Sequence, residues 1–347
     1  MRDFFRSSAL TLLIVIGLFI FIEGICSILI SFEDPRGPLK ERLHTQYDKE
    51  IGWVNIPDIL IKDIYGKGTY LKTNAQGFRN NEDFAISVPP GKIRIICSGD
   101  SFTLGFGVSN DQTWCQDLVS IDPHLETVNM GQGGYGVDQS YVLYVREGRK
   151  LEHQIHLFAF IDDDILDRYA ASFNGYGKPY FKLENNQLVL CNVPVPKRPY
   201  YLPWITSNMW SVNNLRSVSV LRSLLANFQK RINAEHKIEF DKGIVLKIFE
   251  ALDNDNRSAK SVLVAVYLPN ESDFDVDHEK SRQLRSFLHE ELKKRGILFI
   301  DLFDDFNRLP HDRLRQLFHG HYNIRGNKYV AGLIYKKLLE LNLLSEK

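Results

Sequence analysis

Apolar positions are distributed along this chain in three ways, and each predicts a different element. The first is an unbroken run at 9–30, ALTLLIVIGLFIFIEGICSILI. A helix of that length rises about 33 Å, enough to cross the ~30 Å hydrocarbon core of a bilayer. Glu23 interrupts it towards the C-terminal third, where a carboxylate costing ~2.5–3.5 kcal/mol on insertion can protonate or reach the interface. The run exceeds the ~7–15 apolar residues of a signal-peptide core, and no small-residue cleavage site follows it. The expectation is one uncleaved signal anchor at 9–30, with Arg2 and Arg6 in the cytoplasm and an ectodomain that is periplasmic or extracellular.

The second distribution is a set of short, largely apolar runs carrying β-branched residues at 92–98, 126–130, 155–161, 261–268 and 297–302. Such runs predict strands buried on both faces of a parallel sheet. The third is a helical period at 111–121, 137–150, 213–232, 241–252, 278–295 and 324–339, with Asn323 placed to cap the last helix. Strands alternating with helices give a three-layer α/β/α domain around a five-stranded parallel sheet. About 95 residues between the third and fourth strands break this rhythm. They predict an insertion at about 169–260, opening with a hairpin of 180–183 against 188–190 and a proline-rich loop. Its aromatics, among them Tyr169, Phe173, Tyr176, Tyr180, Phe181, Tyr200, Tyr201, Trp204 and Trp210, suit a small core of its own or a lid that stacks on sugar rings. The organisation expected is a tail and anchor at 1–32, a lead-in at 33–90 carrying YDKEIGW and TNAQGFR, and the α/β/α domain at 91–347.

Composition narrows the partners. The 347 residues are 44% hydrophobic, and 43 basic side chains balance 43 acidic ones. A disordered chain is excluded, and so is a nucleic-acid partner, since no basic excess exists to neutralise phosphates. Cys97, Cys115 and Cys191 follow the anchor. They allow at most one bridge, and Cys97, inside a predicted strand, is expected as a buried free thiol.

Ligands of an open parallel sheet bind beyond the carboxyl ends of its strands. After the first strand comes Ser98-Gly99-Asp100-Ser101-Phe102-Thr103-Leu104-Gly105, and after the second Asn129-Met130-Gly131-Gln132-Gly133-Gly134-Tyr135-Gly136. The third is followed by Asp162-Asp163-Asp164, and His319-Gly320-His321-Tyr322-Asn323 precedes the final helix. The acidic run fits a helix N-terminus better than a metal site, and neither a metal nor a cofactor is expected.

In this order, with a histidine 220 positions after the serine, the blocks resemble the SGNH/GDSL hydrolase superfamily over 47–339. The lead-in motifs and GDSFT-x-G-x-GV are similar to a membrane-anchored, extracytoplasmic branch of it. The resemblance implies a flavodoxin-like SGNH hydrolase fold with Ser101 as nucleophile and His321 as general base. It puts the amides of Ser101 and Gly134 in the oxyanion hole, with a third donor at Asp163, where the family has an asparagine. An ionised carboxylate cannot donate, so Asp163 departs from the pattern. The family's aspartate two or three residues before the histidine is also missing. Asp301 or Asp312 are the candidate acid partners, or a backbone carbonyl holds the ring in a Ser-His dyad. The implied activity is a serine esterase or O-acyltransferase acting on an acylated carbohydrate or another ester. The alternative is a non-catalytic SGNH-like domain that binds a glycan or a membrane acyltransferase.

Overall fold

The computed structural model describes residues 2–33, 43–168, 170–173, 176–196, 217, 220–221, 224, 234–275 and 279–344. The chain forms two units, Met1–Arg42 with Arg198–Lys237, and Leu43–Lys197 with Ile238–Lys347. The first unit contains the helix Arg2–Glu33, within which Arg6–Cys26 is long and apolar enough to cross a membrane. Its large side chains face outward, Leu13 and Phe21 being about two-thirds exposed. Apart from residues 217, 220, 221 and 224, the helix expected at 213–232 lies outside the described residues.

The second unit is built on five parallel strands, Ile93–Ser98, Leu125–Asn129, Ile155–Phe160, Val262–Tyr267 and Leu298–Asp301. Each lies within a residue of its expected bounds. In space they follow the order second, first, third, fourth, fifth. Register pairs Cys97 with Asn129 and Ser98 with Phe158. The order reverses beside the first strand, so its carboxyl end, leading to Ser101, is the switch point where such sheets bind ligands.

Side chains alternate between the two faces. Ile95, Cys97, Leu157, Ala159, Val264 and Val266 share a core with the helices Trp114–Ile121 and Ile324–Glu340. Asn327 locks that pair of helices, its Oδ1 accepting from the Trp114 amide at 2.9 Å. On the other face His156 stacks on Tyr144 of Val137–Arg146, Phe158 meets Phe249 of Ala234–Ser258, and Phe299 meets His289 of Glu279–Lys294. Asn323 caps the last helix as expected, accepting from the Arg325 and Gly326 amides.

Two helices are shorter than their periodicity predicts. Thr113 starts a new helix at Trp114 by accepting from the Gln116 amide, which leaves Asn110–Gln112 as a separate 3-10 turn. The helix expected over 137–150 ends at Arg146, and Gly148–Lys150 form a further such turn.

In the inserted stretch, Tyr180–Glu184 pairs with Gln187–Cys191 across Asn185 and Asn186, both at positive φ as a two-residue hairpin turn requires. Three of its described aromatics contact residues outside it. Phe181 packs on Tyr141, Tyr176 on Trp53, and Phe173 against Gly134. Tyr169, Tyr200, Tyr201, Trp204 and Trp210 lie outside the described residues. Cys97 and Cys115 are buried free thiols, and Cys191 is free and half-buried.

Candidate active site

Ser101 opens the short helix Ser101–Leu104 directly beyond the first strand, and Asp100 caps that helix by accepting from the Phe102 amide at 2.8 Å. His321 reaches the same place from the far end of the chain, 2.8 Å from Ser101 Oγ through Nε2. It sits on a two-residue hairpin, Phe318–His319 against His321–Tyr322. Tyr322 anchors that hairpin by donating to the Pro269 carbonyl at 2.5 Å, and the Asn323 cap fixes its exit into the last helix. The imidazole lies against two phenyl rings, Phe102 and Phe106, each with its centroid 4.7 Å away.

The glycine-rich block is bound to the serine block by Asn129, whose Nδ2 donates to the Thr103 carbonyl at 2.9 Å while Oδ1 accepts from the Gly131 amide. Gly131 lies on the Leu104 backbone so closely that a Cβ would come within 2.1 Å of the Leu104 nitrogen, so no side chain fits. Gly134 adopts a φ of +76°, open to glycine at no steric cost, and Phe173 covers it. Among the described residues, no acceptor takes the amide hydrogens of Ser101 or Gly134. The lead-in holds this block from outside: Trp53 Nε1 donates to the Gly133 carbonyl at 2.9 Å, and the Tyr135 hydroxyl donates to the Trp53 carbonyl.

In the third block Asp162 accepts from the Asp163 amide at 2.9 Å and from Asn270 Nδ2 at 2.7 Å. Asp163 follows the third strand, on the same sheet edge as Ser101, with its side chain open to solvent. The surrounding protein pushes its carboxyl above the ordinary range, desolvation first, with Asp167 and Asp100 adding to it and Arg168 opposing. Exposure to water keeps that push modest. Asp164 is buried and bonds Arg168, whose Nη1 also reaches Asp100 Oδ2 at 3.0 Å and the Tyr135 carbonyl at 2.8 Å. One guanidinium therefore ties the three blocks together. Arg168 was not visible as a site residue in the sequence; its signal is its position four residues after Asp164, the spacing of a helical ion pair.

Neither expected acid partner meets His321. Asp301 closes the edge strand, where it accepts from Arg285 and His289, both at 3.1 Å. Burial works to raise its carboxyl, but the His289 and Phe303 hydrogen bonds and Arg285 outweigh it and hold the group below its ordinary value. Asp312 is exposed in the first turn of His311–Arg315. The carboxylate that acts on His321 is instead Asp100, beside the serine, its Oδ2 3.3 Å from Ser101 Oγ. Burial pulls the imidazole below its ordinary value, Asp100 opposes this, and Arg168 adds to it. His321 is thus neutral near pH 7, the form that can take a proton. No group of three or more histidine, cysteine or acidic residues among the described residues could hold a metal ion.

A serine within hydrogen-bond reach of a neutral imidazole, flanked by backbone amides without acceptors, can attack an acyl carbon. No family model matches the sequence, and no curated protein matches it. Solved structures similar to the chain include a member of the lipolytic protein G-D-S-L family from Veillonella parvula, at 15% identity, with 72% of this chain and 97% of that one covered and a TM-score of 0.38. A GDSL-like lipase from Bacteroides thetaiotaomicron is 10% identical, with 75% and 93% covered and a TM-score of 0.42. A lipase/acylhydrolase from Enterococcus faecalis is 13% identical, with 71% and 95% covered and a TM-score of 0.41. These likenesses are distant, and the reading of the site rests on its own geometry.

Proposed function

We propose that the chain is a membrane-anchored serine esterase or O-acyltransferase of SGNH type, with Ser101 as nucleophile and His321 as general base. The observation that carries the reading is the 2.8 Å contact between Ser101 Oγ and His321 Nε2 at the sheet's switch point. Ser101 Oγ attacks the acyl carbon and its proton passes to His321 Nε2. The negative charge then on the carbonyl oxygen faces the free amides of Ser101 and Gly134. The ester C–O bond breaks, and the leaving alcohol takes the proton back from His321. In the second half, water or a sugar hydroxyl gives its proton to His321 and attacks the acyl carbon, the bond from that carbon to Ser101 Oγ breaks, and Ser101 takes the proton back from His321, releasing an acid or a new ester. The helix Arg2–Glu33 would hold this site on the extracytoplasmic face, where acylated surface carbohydrates are the substrates in reach.

Asp163 supports a second reading. A carboxylate at the third oxyanion position repels the charge that the site must stabilise, which suits a domain that binds a glycan or a membrane acyltransferase without turnover. Covalent labelling by a fluorophosphonate separates the two. The enzyme reading expects a labelled wild type and an unlabelled Ser101→Ala; equal labelling of both, or of neither, removes it. For the topology, protease on the extracytoplasmic face should release the ectodomain, and full protection would reverse the orientation.

A further inference from the structure

The lead-in between the apolar helix and the sheet has no role in the acyl-transfer steps, yet its buried arginine is devoted to the nucleophile loop. Arg79 is 2% exposed. Its Nε donates to Asn110 Oδ1 at 3.0 Å, Nη1 to the carbonyls of Leu104 and Gly105 at 2.7 and 2.5 Å, and Nη2 to that of Val108 at 2.5 Å. All four acceptors are neutral. A buried cation not bonded to a carboxylate is a costly component, and a fork with four partners is one of the few arrangements that can sustain it. What the fork holds is the loop 104–108, and with it Phe106.

Phe106 is also gripped by the lead-in. The Tyr65 ring meets it edge-on at 4.9 Å, and the Arg79 guanidinium lies 5.8 Å from the centroid of that tyrosine. Phe106 in turn packs on the His321 imidazole at an interplanar angle of 42°, and Phe102 packs on it at 36°. Among the described residues no carboxylate hydrogen-bonds His321. An imidazole must be fixed in tilt and rotation for Nε2 to face a serine hydroxyl, and in a triad one hydrogen bond to an acid does this. Here contact with two rings is available for the same task.

We infer that the lead-in is part of the machinery of the base: Arg79 and Tyr65 fix the loop so that Phe106, with Phe102, holds the His321 imidazole on Ser101, the task of a triad's carboxylate. This rests on the reading of Ser101 and His321 as nucleophile and base. The rings also keep water from the imidazole. The charged and titratable groups that face it are Asp100 and Arg168, with His319 beside it across the hairpin. Loss of the Phe106 ring admits water, relieves the desolvation and moves the imidazole's midpoint up.

The experiment uses the full chain in detergent, with Phe106→Leu, Phe106→Tyr and Arg79→Lys. Phe106 is only half-buried, so its replacement should leave the fold intact. Two readouts are taken across pH: the rate at which a fluorophosphonate labels Ser101, and the titration of His321 by NMR with histidine labelled at Cε1 and assigned through His321→Gln. Phe106→Leu should slow labelling at its plateau by about tenfold to a hundredfold, as a misplaced catalytic group does, and shift the acidic midpoint of the profile upward. Phe106→Tyr should recover most of the rate, and Arg79→Lys should resemble Phe106→Leu. In the NMR titration the wild-type His321 should show a ring-current shift and a midpoint below that of ordinary histidines, both reduced in Phe106→Leu, where only the Phe102 ring remains on the imidazole. A Phe106→Leu protein with the wild-type rate and midpoint would overturn the inference. A wild type that is not labelled removes the nucleophile reading instead. In that case the NMR arm still decides the clamp, because an unmoved His321 midpoint in Phe106→Leu sinks it and an upward shift upholds it.

Discussion

Arg168→Met removes the cation bonded to Asp100, next to Ser101, while keeping most of the apolar stem. In the wild type that guanidinium serves Asp100, Asp164 and the Tyr135 carbonyl, and both carboxylates have side chains at most 2% exposed. Taking one partner from a buried ion pair costs ~3–5 kcal/mol, and here two carboxylates lose the same partner, so the upper end of that range, about 5 kcal/mol, is expected near neutral pH. The pH dependence has a definite sign. Burial, reinforced by Asp100, already pushes Asp164 well above the ordinary carboxylate range, and Arg168 is the charge that opposes them. Without Arg168 the carboxyl moves further up. A group whose folded pKa lies above its unfolded value favours the folded state below the unfolded pKa, and that advantage is lost as pH rises through the folded pKa. The penalty of the substitution should therefore be largest at neutral pH and above, and should shrink as pH falls towards about 4. Urea unfolding of the full chain in detergent at about pH 8, 6 and 4.5, followed by tryptophan fluorescence, measures it. A penalty of the same size at all three would refute the view that uncompensated buried carboxylates cause it. One below about 1 kcal/mol would show that the cluster opens to water instead.

Asp163→Asn should raise Ser101-dependent ester hydrolysis by about tenfold to a hundredfold, since one oxyanion donor is worth ~10²–10³ in rate and the exposed position weakens the gain; an unchanged rate across pH would mean that Asp163 is not at the oxyanion. Trp53→Phe keeps the ring but orphans the Gly133 carbonyl, and should cost ~1–3 kcal/mol by denaturant titration, with no loss beyond error counting against the lead-in's grip on that loop. Asn323→Ala removes a helix cap beside the His321 hairpin and should cost ~1 kcal/mol, again by denaturant titration. Cys97 and Cys115, at 0% and 1% exposure, should react with a thiol reagent only when the sheet unfolds; rapid alkylation of the native protein would contradict their burial.

The sheet was legible in the sequence because its strands are short, largely apolar runs that alternate with segments of helical period. The hairpin at 180–190 and the Asn323 cap were legible because their signals are local, a turn between two short runs and a capping residue before a helical period. What lay outside the sequence reading was contact between distant segments. Arg79 and Trp53 read as letters of lead-in motifs, and nothing in their neighbourhood shows that one grips the serine loop and the other the glycine loop. Arg168 stands outside every motif of the sequence, although it bridges three blocks. Asp301 is no acid partner of His321 because the end of the fifth strand lies at the sheet's edge, three strands from the serine, where Arg285 and His289 already occupy it. The carboxylate that does influence His321 is adjacent to Ser101, where it was read only as part of the motif.

The four-way grip of Arg79 has a practical corollary for how this chain can be cut. A fragment starting at the first sheet strand, near Lys92, would contain Ser101, Gly134, Asp163 and His321 and would look complete as an α/β/α domain. It would nevertheless lack the donors for the Leu104, Gly105 and Val108 carbonyls and for Asn110 Oδ1, and the indole that meets Gly133. A piece that keeps all of these donors starts instead at Leu43, where the second unit begins, before the strand Thr45–Asp48. The same bond pattern couples the two regions in descent: a lead-in exchanged for one from another protein would have to bring an arginine at the position of Arg79, or arrive together with its own serine loop.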